Sequence, residues 1–328
     1  MAGGTTQAPR STTKTSSLFT LERDAHGLAD RLPDLLIDAK RIAATVAHGI
    51  HGRRRSGPGE TFWQFRQFQS NDSAQLIDWR RSASSDHLYV REREWEAALT
   101  IWLWADLSPS MGFKSHLAQV TKRDRALVLM LAAAELLVRG GERVALMALT
   151  QPTASRKATT KMLESIATNL DKPIVRKSRP PSTTLNRYSS VLLFSDFLAP
   201  IPAIRERVEV LAAAGATGHM VQILDPAEET LPYEGHTEFY STSGRERWVA
   251  DRAESLRDEY KARLAAHRGE VAVLAGRLGW SFMVHHTNRP ASEPLLNLIS
   301  RLHGAAGGYR WHTADHTADA PAEPVGTP

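Results

Sequence analysis

The 328-residue chain has no cysteine, which excludes disulfide scaffolds, thiolate metal sites, iron–sulfur clusters and cysteine nucleophiles. Any metal must then be held by oxygen ligands or histidine. Long apolar runs are missing too. The longest, Ala126 to Val138, is interrupted by Glu135 and is too short for a bilayer. The opening MAGGTTQAPRSTTKTSS lacks a hydrophobic signal core, so the expectation is a cytoplasmic, non-spanning protein. Neither charge sign dominates: 41 Lys and Arg against 36 Asp and Glu leave +5, with 42% hydrophobic and 23% charged residues. That balance is typical of a globular protein with a real core. The length fits two domains of roughly 150 residues each, or one large α/β domain with additions.

What is present divides the chain. Residues 1–18 and 306–328 are small and polar and are expected to be disordered tails. Residues 19–98 form a basic, aromatic-spotted segment, and residues 99–305 alternate short apolar runs with longer helical patterns, an α/β signature. Within it, Leu99 to Ala105 reads as a strand, Thr121 with Asp124 as a capping box opening a helix through Val138, and Gly140-Gly141 as its end. Further strands are expected over Arg143–Leu149, Ser190–Ser195 and Gly218–Leu224, with a last one carrying Trp280, Phe282 and Val284. Helices are expected over Thr160–Leu170 and Ile201–Ala214 and after Ser292. Glu246 to Leu278 carries a helical stripe, read as one bent helix or two with a break at Gly269.

Ligands of open α/β sheets bind beyond the carboxyl ends of the strands, and the loop there after the first strand reads Asp106-Leu107-Ser108-Pro109-Ser110-Met111. One carboxylate and two hydroxyls at alternating positions can converge on one point. An oxygen-only set suits a hard cation, and a few protein oxygens with retained waters suit Mg²⁺ (or Mn²⁺). A second carboxylate, Asp196, follows the strand VLLFS.

Asp106, Ser108 and Ser110, with Asp196, resemble the metal-ion-dependent adhesion site (MIDAS) of von Willebrand factor A domains. The upstream residues resemble something narrower. Gly57-x-Gly59-Glu60-x-Phe62, Arg66, Asp72, Ile77-Asp78-Trp79, Ser82-Ala83 and Leu88-Tyr89-Val90-Arg91-Glu92 look like the signature of the bacterial "domain of unknown function 58" family. The resemblance runs from about Arg41 to about Leu302. It implies a doubly wound, Rossmann-like von Willebrand factor A-type domain with a family-specific N-terminal segment. The chain departs from the pattern at Asn71-Asp72-Ser73, where a Gly-Asp-Asp turn is usual, and at Gln75 and Ser84, where an Arg is usual.

The resemblance also implies a non-catalytic binding module. Its metal, held by Asp106, Ser108 and Ser110 with Asp196 at the rim, keeps one position open for a partner's carboxylate. A further Thr ligand is normally found after the second strand; Thr159 and Thr160 are candidates, with Thr159 preferred. The implied partner is a MoxR-type AAA+ ATPase or its client, served as an accessory factor. This chain has no G-x-x-x-x-G-K-[ST] phosphate loop, so ATP hydrolysis would come from that partner.

Two other function classes compete. Ser108-Pro109-Ser110-Met111-Gly112 differs from a G-x-S-x-G nucleophile elbow only at its first position, and Asp196 then His285 or His286 follow in hydrolase order, but no oxyanion-loop motif precedes Ser110. From Lys40 to Arg93 there are ten Lys and Arg against five Asp and Glu, and Arg53-Arg54-Arg55 lies near Phe62, Trp63, Phe65 and Phe68. That combination can bind single-stranded nucleic acid, yet no recognised nucleic-acid module motif occurs. His48, His51, His312 and His316 lack supporting acid ligands and are assigned nothing.

Overall fold

The strand Thr100–Ala105 reads TIWLWA and is buried along both faces, the pattern of a central strand in a parallel sheet covered on both sides. The computed structural model describes residues 12–51, 64–69, 74–92, 99–186, 189–241 and 246–306. In chain order its elements are α1 (Thr12–His51), β1 (Gln64–Gln67), α2 (Trp79–Ser82), β2 (Tyr89–Glu92), β3 (Thr100–Ala105), α3 (Lys122–Arg139), β4 (Arg143–Leu146) and α4 (Ala158–Asn169). They continue with β5 (Ser190–Ser195), α5 (Ile201–Ala213), β6 (Thr217–Leu224), α6 (Pro226–Thr230), β7 (Thr237–Tyr240), β8 (Arg247–Ala250), α7 (Arg257–Arg277), β9 (Ser281–His286) and α8 (Ser292–Ala306).

The core is a five-stranded, all-parallel sheet of order β4-β3-β5-β6-β9, so the expected α/β class holds. Helices cover both faces. Ile101, Leu103 and Phe194 pack with α1, α3, α4 and α8. On the other face Trp102, Trp104 and Val191 pack with α5 and α7. Trp280 leans across Gly218 so closely that a Cβ there would stand 1.9 Å from its ring; only glycine fits under that indole. The strand order reverses at β3 and β5, whose following loops part at their carboxyl ends and leave a crevice there.

α3 is apolar nearly all round, and Ala126 to Ala134 are buried without interruption. Such a helix must be covered on its outer side as well. The cover is α1, whose Leu28, Leu32, Leu35, Ala39, Ala43 and Val46 form one buried stripe at three- and four-residue steps. Arg31 ties it down through an ion pair to Asp124 in the first turn of α3. The N-terminal segment therefore does not stand apart from the core, and residues 12–18, expected in a tail, are helical. A helix anchored by a packed stripe extends at little cost per added residue.

The family-like residues upstream of the sheet build a small unit. β1 and β2 pair antiparallel, with Arg66 opposite Val90, Ile77 bridges Val90, and Asp78 caps α2 by accepting from the Arg81 amide at 2.9 Å. Residues 53–55, 57–62 and 71–73 lie outside the described set, and with them the Arg53-Arg54-Arg55 run and both glycines of the motif.

The stretch from Glu246 departs from the helical expectation. It opens with β8, paired to β7 as a hairpin, and a 3₁₀ turn at Ala253–Leu256 precedes α7, which runs through Gly269 unbroken. Arg247-Trp248-Val249-Ala250 is rich in strand formers, and that local preference prevails over the longer helical stripe.

Candidate functional site at the carboxyl edge of the sheet

The chain leaves β3 directly into Asp106, which is fully buried. Its main-chain amide still donates to Phe194 of β5 at 2.8 Å, so the sheet itself fixes the carboxylate. Oδ1 accepts from the Ser108 amide at 2.8 Å, and Oδ2 accepts from Ser195 Oγ at 2.7 Å. The backbone then turns through a short 3₁₀ segment, Pro109–Gly112, which brings Ser108 Oγ and Ser110 Oγ within 3.1 Å of each other. Ser108 is buried and Ser110 half-buried, so the pair sits where buried carboxylate gives way to surface.

Asp196, one residue beyond β5, is also buried. It is held by unusual backbone: Phe197 adopts φ +48°, a left-handed conformation that is strained for a bulky residue. Three contacts hold the turn. The Phe197 amide donates to Ser195 Oγ at 3.1 Å, the Leu198 amide to Asp196 Oδ1 at 3.2 Å, and His267 Nε2 meets the Phe197 carbonyl at 2.7 Å. A carbonyl only accepts, so Nε2 carries the ring proton there.

The charge beside these two carboxylates comes from Lys122 at the start of α3. Its side chain is 1% exposed, and Nζ donates to Asp196 Oδ2 at 3.0 Å and to Glu228 Oε1 at 2.5 Å. Burial opposes the ammonium, but Asp196 and Glu228 outweigh it and hold the Lys122 pKa above its usual value. Glu228 in turn accepts from the Asp225 amide at 2.9 Å, completing the capping box of α6. Asp225, fully buried, takes the amide of Ser115 at 2.9 Å and also its hydroxyl. One network thus joins the ends of β3, β5 and β6 with the loop that follows Ser110.

The ammonium pairs with two of the four carboxylates of this network, Asp196 and Glu228, and not with Asp106 or Asp225. The imbalance falls on Asp106: burial, and then the neighbouring Asp196 charge, push its pKa up to about 6 against hydrogen bonds that favour the anion. Burial also raises Glu228. Beside these acids the hydroxyls of Ser108 and Ser110 meet each other, and that of Ser108 also hydrogen-bonds Asp106. A buried carboxylate beside two hydroxyls is an oxygen set of the kind that a hard divalent ion takes, so the chemistry of the residues is compatible with the expected metal. Among the described residues no group of three or more His, Asp or Glu side chains is arranged to hold a metal.

The structure therefore brings Asp106, Ser108, Ser110 and Asp196 to the crevice, but it does not bring Thr159. Thr159 Oγ1 donates to Glu135 at 3.2 Å, and Glu135 lies more than three turns along α3 from Lys122, about 20 Å away at the helical rise. After β4 the chain reverses through Ala148 at φ +58° and runs back until Thr153 bridges Val144. That return carries the start of α4, Thr160 included, towards the amino end of the sheet. As for the hydrolase arrangement, Ser110 Oγ meets Ser108 Oγ, and His286 Nε2 is bonded to Glu229, which also takes Arg268 at 2.8 Å. His285 is buried with Nε2 unpartnered, and burial depresses it to about 3, keeping it neutral.

The family described as "Protein of unknown function DUF58" matches residues 64–270, from β1 into α7. The chain belongs to the DUF58 family. The match contains Asp106, Ser108, Ser110, Lys122, Asp196 and Glu228, so the whole crevice lies within the DUF58 region. An uncharacterized protein of Mycobacterium tuberculosis H37Rv is 28% identical over 306 residues, covering 86% of this chain and 92% of its own length. An uncharacterized protein of Mycobacterium bovis aligns to the same extent. Among solved structures, BatB from Bacteroides thetaiotaomicron covers 63% of this chain and all of its own at 14% identity and TM-score 0.39. An aerotolerance-related membrane protein from Bacteroides fragilis covers 62% of this chain and 98% of its own, also at 14%, with TM-score 0.33. In this DUF58 chain no helix among the described residues is long and apolar enough to cross a membrane.

Sequence reasoning missed Lys122, Ser195, Asp225 and Glu228. Two signals were available. A lysine in the first turn of a helix opposes the helix dipole, which calls for an acidic neighbour. Asp225-Pro226-Ala227-Glu228 after a strand has the spacing of a capping box.

Proposed function

We propose that the carboxyl edge of the sheet is a metal-dependent protein-docking site of the adhesion-site type on a von Willebrand factor A-like domain. The observation that carries this reading is the convergence of Ser108 Oγ and Ser110 Oγ, 3.1 Å apart, beside a buried Asp106 whose charge only neutral groups solvate. Asp106, Ser108 and Ser110 would hold Mg²⁺ or Mn²⁺, with Asp196 behind them. Once bound, such an ion offers an open coordination position to an incoming Asp or Glu carboxylate. Ser110 is the ligand nearest solvent. The two loops that carry the ligands also expose Leu117 (41%) and Leu198 (38%), apolar side chains that suit a protein surface better than a small anion. By its resemblance to the DUF58 pattern, the partner is a MoxR-type AAA+ ATPase or its client, and the chain is an accessory factor without catalysis of its own.

Calorimetric titration with Mg²⁺ or Mn²⁺ tests the reading. One site is expected, lost in Asp106→Ala while the circular dichroism spectrum is unchanged. Equal affinity in wild type and variant would remove Asp106 from the site and the reading with it.

A further inference from the structure

Lys122 is a fully buried lysine. Its ammonium is taken out of water almost completely, which opposes the charged form before pairing, and it stands in the first turn of α3, where the helix dipole repels a cation. Well-packed apolar side chains in place of the whole Lys122, Asp196 and Glu228 group would do at least as well for stability. Packing therefore does not account for an ammonium here, and its contacts suggest what does. The two strand-end carboxylates have been given different partners. Asp196 has Oδ2 on the ammonium and Oδ1 on the Leu198 amide; the hydrogen-bond partners of Asp106 among the described residues are neutral, the amide and hydroxyl of Ser108 and the hydroxyl of Ser195.

We propose that Lys122 is a tethered counter-cation that withholds Asp196 from a divalent ion, so that Asp106 is the sole anionic ligand beside the hydroxyls of Ser108 and Ser110. The inference rests on the metal-docking reading above and adds a residue that sets the affinity of the site. An ion held by one carboxylate and two neutral oxygens is bound weakly and stays electron-poor, so a carboxylate from a partner completes its shell at a gain. Glu228 is the second arm of the device. Its Oε1 accepts a second N–H of the ammonium while its Oε2 is fixed by the cap of α6, and this keeps Lys122 turned towards Asp196.

The test is Mg²⁺ calorimetry on the full chain in four forms: wild type, Glu228→Gln, Lys122→Met/Glu228→Gln, and that double variant with Asp196→Asn added. The double variant removes one charge of each sign, so the net charge is conserved and Asp196 is set free. It is expected to bind Mg²⁺ at least about tenfold tighter than wild type, Glu228→Gln alone should show no gain, and Asp196→Asn should cancel the gain. Folding is checked by near-ultraviolet circular dichroism. If the double variant does not fold alone, recovery of its near-ultraviolet signal on adding Mg²⁺, absent once Asp196→Asn is added, serves instead, and no recovery overturns the inference. Affinity in the double variant no higher than in wild type, or a gain that survives Asp196→Asn, overturns the inference and leaves the metal reading standing. Binding by the double variant alone overturns the metal reading for the wild-type chain and supports Lys122 as the cation that occupies Asp196. No binding in any form overturns both.

Discussion

Replacing Lys122 by alanine is expected to lower the stability of the protein by about 3–5 kcal/mol at neutral pH, the usual cost of removing one partner from a buried ion pair. The reason is what stays behind: the buried Asp196 and the half-buried Glu228, which both hold the ammonium, would face one another without a cation. Carboxylates in that situation accept protons. The loss should therefore shrink as pH falls, and a denaturant series from pH 7 to pH 4 would show it. Glu228→Gln in the alanine background should recover part of the stability by removing one stranded charge. A loss of less than about 1 kcal/mol, the scale of an exposed pair, would mean that the acids find other partners and that the network is not what holds this edge together.

The second expected result concerns pH and Asp106. The unfolded chain gives up this proton near 3.8, whereas the folded protein holds it to about 6. Between those values the folded state binds more protons, so the Asp106 contribution to stability is present below about 3.8 and lost as pH rises through 6. Asparagine keeps the shape without the charge. Measured by urea unfolding in the presence of chelator, Asp106→Asn should gain about 3 kcal/mol relative to wild type across that window and hold the advantage at pH 7. His219 and His285, depressed to about 4 and about 3 by burial, act in the opposite sense, since they favour the fold above pH 6.5. Both proteins carry them, so they cancel in the comparison. Mg²⁺ at pH 7 should stabilise wild type and leave the asparagine variant unchanged. A difference between the two that stays flat with pH would show that Asp106 is already compensated.

The parts of the fold that were legible in the sequence are those specified locally. β3 is an unbroken apolar run, α3 opens on Thr121, whose hydroxyl accepts from the Asp124 amide at 3.0 Å, and Asp106 and Asp196 announce themselves as polar residues ending apolar strands. α1 was not legible as a core element. Its stripe includes Ala39 and Ala43, which are buried in one cluster with residues of α3, α4 and α8, and none of these helices predicts the others. The error at Thr159 has a similar origin: the chain reversal after β4 is made by Ala148 in a left-handed conformation without a glycine to signal it. Lys122 and Glu228 are 106 positions apart in the chain. Each carried a local oddity or motif, but only the parallel order of β3, β5 and β6 places them side by side.

The central claim, that Asp106, Ser108 and Ser110 form a divalent-cation site from which Lys122 holds Asp196 back, is tested most directly by the anomalous scattering of Mn²⁺ in crystals of the protein. The account predicts one peak at the carboxyl edge, with an oxygen of Asp106 and the hydroxyls of Ser108 and Ser110 at bonding distance and Lys122 still on Asp196. No peak there at saturating Mn²⁺, or an ion bound directly by Asp196 with Lys122 displaced, would contradict it.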